Sequence, residues 1–152
     1  MIKRELYMSR IRPFIGNELI KVLTGFRRSG KSVMLELIKE EIISSGISEN
    51  QFICINFENM SNAHLCNAAS LHDEILRRSS KINGKIYLLF DEIQEVDGWE
   101  KCINSLRVEL DCDIYITGSN AKLLSGELAT YLAGRYVEFV IYPFSFSEFT
   151  EL

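Results

Sequence analysis

Residues 19–32 read LIKVLTGFRRSGKS. The first six, Leu19–Thr24, are a short apolar run of strand character that stops at Gly25. The next eight, Gly25, Phe26, Arg27, Arg28, Ser29, Gly30, Lys31 and Ser32, fit the pattern of a glycine, four residues, then Gly-Lys-Ser. Beyond them Met34, Leu35, Leu37, Ile38 and Ile42 recur at helical spacing, and Ser44, Ser45 and Gly46 predict the helix end. Strand, glycine-rich loop and helix in that order make an anion cradle. Gly25 and Gly30 permit backbone angles that larger residues resist. The loop amides turn inward, and the helix start adds unsatisfied N–H groups. Lys31 supplies a point charge for β- and γ-phosphates, and Ser32 a hydroxyl for magnesium. The stretch therefore predicts a nucleotide site taking ATP and Mg2+.

Working outward, apolar runs and helical patterns alternate. Strand-like runs lie at 51–57 (QFICINF), 85–90 (KIYLLF), 113–117 (DIYIT) and 136–142 (YVEFVIY). Between them, residues 61–80 predict one helix through Leu65, Leu71, Ile75 and Leu76. Trp99, Ile103, Leu106 and Leu110 predict another, and Leu124, Leu128 and Leu132 a third. A strand–helix alternation repeated four times and closed by a final strand predicts an α/β fold. Its sheet is parallel and has helices on both faces. Right-handed crossovers then bring every strand's C-terminal end to one edge, which is where ligands of such folds bind.

Three further groups fall at that edge or after it. The run ending at Phe90 delivers Asp91 and Glu92 together. Asp91 suits the magnesium's outer shell, and Glu92 suits a base that orients an attacking water. Thr117-Gly118-Ser119-Asn120 ends the fourth strand. Ser119 or Asn120 is expected to sense the γ-phosphate, with helix capping as the competing role. Gly134-Arg135 precedes the fifth strand. Arg135 is a candidate for stabilising γ-phosphate charge, in its own subunit or a neighbour's, and a surface arginine in a turn is the alternative.

Composition bounds the rest. Of the 152 residues, 47% are hydrophobic and 25% charged, the balance of one globular domain. A net charge of −4 argues against a broad nucleic-acid surface. No apolar run approaches the roughly 18 residues of a membrane helix. The N-terminal stretch lacks a signal-peptide block, so a cytoplasmic location is expected. The four cysteines form no CxxC pair and read as buried reduced thiols, and His64 and His72 as surface or helix histidines. No Asn-Lys-x-Asp segment is present, which favours ATP over GTP. Tyr7, Ile11 and Phe14, ahead of the first strand, offer either a cover for the adenine or ordinary packing.

Four stretches together resemble the AAA+-like prokaryotic P-loop ATPases, whose members carry a further C-terminal domain. They are VLTGFRRSGKS at 22–32, LLFDEIQEVDGWE at 88–100, ITGSNAKLLSGELATYLAGRY at 116–136 and PFSFSEF at 143–149. The resemblance implies a three-layer P-loop NTPase fold with a five-stranded parallel sheet in the order 5-1-4-3-2. It also implies ATP hydrolysis, with Ser119 or Asn120 at the sensor position and Arg135 at the Gly-Arg position. Residues 1–152 are then one ATPase domain, truncated before the C-terminal domain. That domain would be the route to self-association or to a protein or DNA partner. An ATPase driving movement of that domain is the leading expectation. A nucleotide-gated switch with little turnover and a small-molecule kinase are the alternatives.

Overall fold

The computed structural model describes residues 2–26, 30–119, 123 and 132–142. Helix α1 (Ile2–Ile11) leads into strand β1 (Ile20–Thr24) and helix α2 (Lys31–Ser44). Strand β2 (Phe52–Asn56) and helix α3 (Ala68–Ser79) follow, then β3 (Ile86–Asp91) and α4 (Trp99–Glu109). Strands β4 (Cys112–Gly118) and β5 (Tyr136–Val140) complete the sheet. All five strands pair in parallel, in the order β2-β3-β4-β1-β5. This is the order that the family resemblance implies, read from the opposite edge.

Alternate residues of the central strands divide between two cores. Ile86, Leu88 and Phe90 of β3 face a cluster built with Leu71 and Ile75 of α3 and Trp99, Ile103 and Leu106 of α4. Tyr87 and Leu89 of the same strand face Met34, Leu35, Ile38 and Ile42 of α2 and Tyr7, Met8 and Ile11 of α1. All six residues of β3 are buried, as a strand covered on both faces requires. Each large apolar side chain so buried contributes about 1.5–3 kcal/mol relative to exposure.

Two expectations are not met, over residues 61–80 and at Cys54, and the segment before β1, which the sequence leaves open, takes a definite form. Residues 61–80 are two pieces: a 3-10 helix, Met60–Leu65, and α3. The break is at Asn67, which accepts from the Ser70 N–H and caps α3 while bridging to Asp97. The segment before β1 is helical over Ile2–Ile11. Tyr7 and Ile11 are buried against α2, and the Phe14 ring meets Phe139 edge-on at 5.6 Å. Packing accounts for all three. Cys54 is exposed rather than buried, because β2 is an edge strand that covers only Ile53 and Ile55. The helix expected over 124–132 lies outside the described residues, apart from Leu132, which is fully buried.

Candidate functional site

Strand register brings the site together. Thr24 pairs with Gly118, Phe90 with Ile116 and Asn56 with Asp91. The ends of β1, β3 and β4 are therefore level, and the loops that leave them share one edge. At the first of these, Gly30 sits at φ +97° immediately before α2. A side chain would strain that left-handed position, and the turn is what lets the chain enter the helix straight from the loop. Its carbonyl opens the helix by accepting from the Met34 N–H at 3.0 Å.

Lys31 is buried, and its ammonium donates to the carbonyls of Gly25 (2.9 Å) and Phe26 (3.0 Å). It also lies 3.9 Å from Glu92 Oε2. Ser32 Oγ donates to Asp91 Oδ2 at 2.5 Å. The phosphate-loop pattern and the paired carboxylates, far apart in sequence, thus meet directly. Hydroxyl and carboxylate are hard oxygen donors, and among the described residues no cluster of three or more His, Cys, Asp or Glu could cage a metal. That donor set fits magnesium, which takes one or two protein oxygens and fills its shell with water and phosphate.

Thr117 ties the two carboxylate residues to β4. Its hydroxyl donates to Asp91 Oδ1 at 2.6 Å and accepts from the Glu92 N–H at 2.9 Å. Glu92 has φ 58° and ψ 54°, the one left-handed non-glycine among the described residues. Such a conformation costs on the order of 1–3 kcal/mol and persists where surroundings over-determine it. Thr117 holds its backbone, and Gln94 Nε2 donates to its carboxylate Oε1 at 2.7 Å. Neither role is written in the sequence: Gln94 sits two positions beyond the glutamate, and Thr117 heads the Thr-Gly-Ser-Asn segment, whose place at a strand end marks it for chemistry without marking the hydroxyl's two partners.

The other candidates separate. Ser119 follows the end of β4 at the same edge, and its carbonyl accepts from the Leu123 N–H at 2.9 Å. Arg27, Arg28, Ser29 and Asn120 lie outside the described residues. Phe26 is exposed. Arg135 is at the wrong end for its own subunit's site. Its carbonyl accepts from the Ile20 N–H at 2.9 Å, which fixes it beside the start of β1, while the phosphate loop leaves from that strand's other end. A five-residue strand spans roughly 16 Å. The role in its own subunit is therefore set aside.

The model of the AAA domain family matches residues 17–150. The chain belongs to the AAA domain family. Two curated relatives of this AAA domain are uncharacterized proteins. One, from Haemophilus influenzae, is 47% identical over 149 residues, which cover 98% of this chain and 37% of the relative. The other, from Methanocaldococcus jannaschii, is 41% identical over 131 residues, 86% of this chain and 28% of the relative. The chain thus spans about a third of the length of these two proteins. Among solved structures, the AAA domain is similar to AMPPCP-bound DnaA from Aquifex aeolicus. That likeness has a TM-score of 0.57 at 18% identity, over 90% of this chain and 44% of that one. It is also similar to a chain of Drosophila ORC bound to AT-rich DNA and Cdc6, with a TM-score of 0.59 at 11% identity, over 96% of this chain and 57% of that one. These two likenesses are of fold. The AAA domain is an α/β P-loop domain of nucleotide-binding, ATPase-like type.

Proposed function

We propose that this domain binds ATP with Mg2+ and hydrolyses it, coupling turnover to movement of a C-terminal part of a longer protein. The contact from Ser32 to Asp91, with Lys31 beside Glu92, carries the reading. It unites a triphosphate cradle, a magnesium donor pair and a carboxylate in one place. The AMPPCP named for the similar DnaA structure supports a nucleoside triphosphate as ligand.

In this reading the phosphates dock on the loop amides and the start of α2. The Lys31 ammonium exchanges the Gly25 and Phe26 carbonyls for β- and γ-phosphate oxygens. Ser32 and Asp91 would hold the magnesium ion between them. When bound, that ion neutralises charge on the phosphates. Glu92 orients the attacking water and accepts its proton. Ser119 or Asn120 senses the γ-phosphate from the end of β4. Arg135, exposed and remote from its own loop, serves only a neighbouring copy's nucleotide. The work driven lies with the rest of the longer protein, where self-association, a protein partner and DNA are the candidates.

The test is a pair of variants of the full-length protein. Lys31→Ala is expected to weaken ATP binding by about 100-fold or more in calorimetry, as removal of a desolvated ion-pair partner does. Glu92→Gln is expected to bind ATP normally while turnover falls about 10²–10⁴-fold. Wild-type affinity in the first would remove the phosphate-loop assignment. Wild-type turnover in the second would remove Glu92 as the base.

A further inference from the structure

The Glu92 carboxylate divides its two oxygens between different partners. Oε2 faces the Lys31 ammonium, on the phosphate side. Oε1 accepts from Gln94 Nε2 at 2.7 Å, from the side of the 3-10 turn Ile93–Glu95. A carboxylate only accepts, so the amide's nitrogen must be the end that faces it. The other end of that amide, Gln94 Oε1, is buried and has no hydrogen-bond donor among the described residues. It lies against Gly118. A Cβ built on Gly118 would collide with this oxygen and stand 2.6 Å from Leu123 Cδ1. Glycine at 118 therefore leaves the room that the Gln94 amide occupies.

A buried, unpaired carbonyl oxygen is costly, and packing alone would be served better by an apolar side chain of that size. What the glutamine adds is its N–H. We propose that Gln94 is a positioning residue for Glu92: it fixes the carboxylate's rotation so that Oε2 points at the phosphate site, and it seats Glu92 against the end of β4. The logic is that of any base oriented by a third group. Thr117 fixes the Glu92 backbone, and Gln94 fixes the head of its side chain. This inference rests on the reading of Glu92 as the base.

The test uses the full-length protein and three variants, with Glu92→Gln run alongside. Gln94→Met keeps the side chain's length and removes the amide. Turnover at saturating ATP should fall by about 10–100-fold, the usual effect of losing a group that orients a reacting one, while KM for ATP changes less than twofold. Gln94→Ala should show the same split. Gln94→Glu places a second carboxylate against the first and withholds the N–H, so turnover should fall at least as far as in Gln94→Met, with KM for ATP again little changed. A purely structural Gln94 would lower thermal stability without this split between turnover and KM. Wild-type turnover in Gln94→Met would overturn the proposal, and so would wild-type turnover in Gln94→Glu. If Glu92→Gln itself turns over ATP normally, the base assignment fails and this proposal with it. If Glu92→Gln is inactive and Gln94→Met is not, only the role of Gln94 fails.

Discussion

At the scale of single residues, the site depends on Thr117 more than its sequence position suggests. One hydroxyl serves two neighbours, donating to the Asp91 carboxylate and accepting from the Glu92 amide. It is fully buried, so water does not substitute for it. Thr117→Val keeps the shape and leaves a buried acceptor and a part-buried donor unpaired. Each orphaned group costs about 1–3 kcal/mol. The variant is therefore expected to lose about 2–4 kcal/mol of stability in chemical denaturation, on the same scale. It should also need more magnesium for half-maximal turnover, because Asp91 loses one of its two restraints. Thr117→Ser should recover both properties. A Val variant with wild-type stability and magnesium response would mean that the hydroxyl positions nothing.

At the scale of elements, what was legible in the sequence is what has a period or a fixed pattern. The strand β3 could be read because both its faces are covered, which makes the run continuously apolar. The phosphate loop could be read because its glycines and lysine are dictated by one geometry. Contacts between elements distant in sequence leave no such mark. Lys21 interrupts an apolar strand and Asp113 heads another, and nothing in either run announces the partner. The fold makes them a fully buried pair at 2.5 Å. Asp113 also accepts from the Gly16 N–H at 2.9 Å and the Tyr115 hydroxyl at 2.7 Å, and Lys21 donates to the Asn17 carbonyl at 2.7 Å. The pair thereby fastens the turn after α1 to the starts of β1 and β4, at the edge opposite Lys31 and Asp91. Burying two charges is expensive, and the extra hydrogen bonds are what make it tolerable. Asp113→Ala strands the lysine and is expected to cost about 3–5 kcal/mol, measured as a shift in the urea midpoint. Nucleotide affinity of the folded fraction should stay unchanged. A drop in affinity without a drop in stability would show that this pair acts on the site instead.

At the scale of the whole molecule, three layers bury thiols that no catalytic argument uses. Cys102 lies inside the core between the sheet and α4, and burial pushes its thiol up to about 12. Burial, with Asp113 nearby, pushes Cys112 up to about 11. Both start from an ordinary value near 9. A thiol with a raised folded-state pKa holds its proton more tightly in the native state. Its stabilising effect is complete below about pH 9 and is lost as pH rises toward the folded value. At pH 10 the unfolded chain gains about 1.4 kcal/mol per such thiol by ionising one unit above its pKa. Denaturation midpoints are therefore expected to fall from about pH 9 to roughly 10.5, with about half of the component from these two thiols removed in Cys102→Ala. The exposed Cys54 supplies the contrast, since it should react with an alkylating reagent in the native state while Cys102 reacts only on unfolding. Equal labelling of the two under native conditions would mean that the layer formed by α3 and α4 does not close over the sheet. In that case the buried strand β3, which carries Asp91 and leads into Glu92 beside Lys31 and Ser32, would lose one of the two faces that hold it in place.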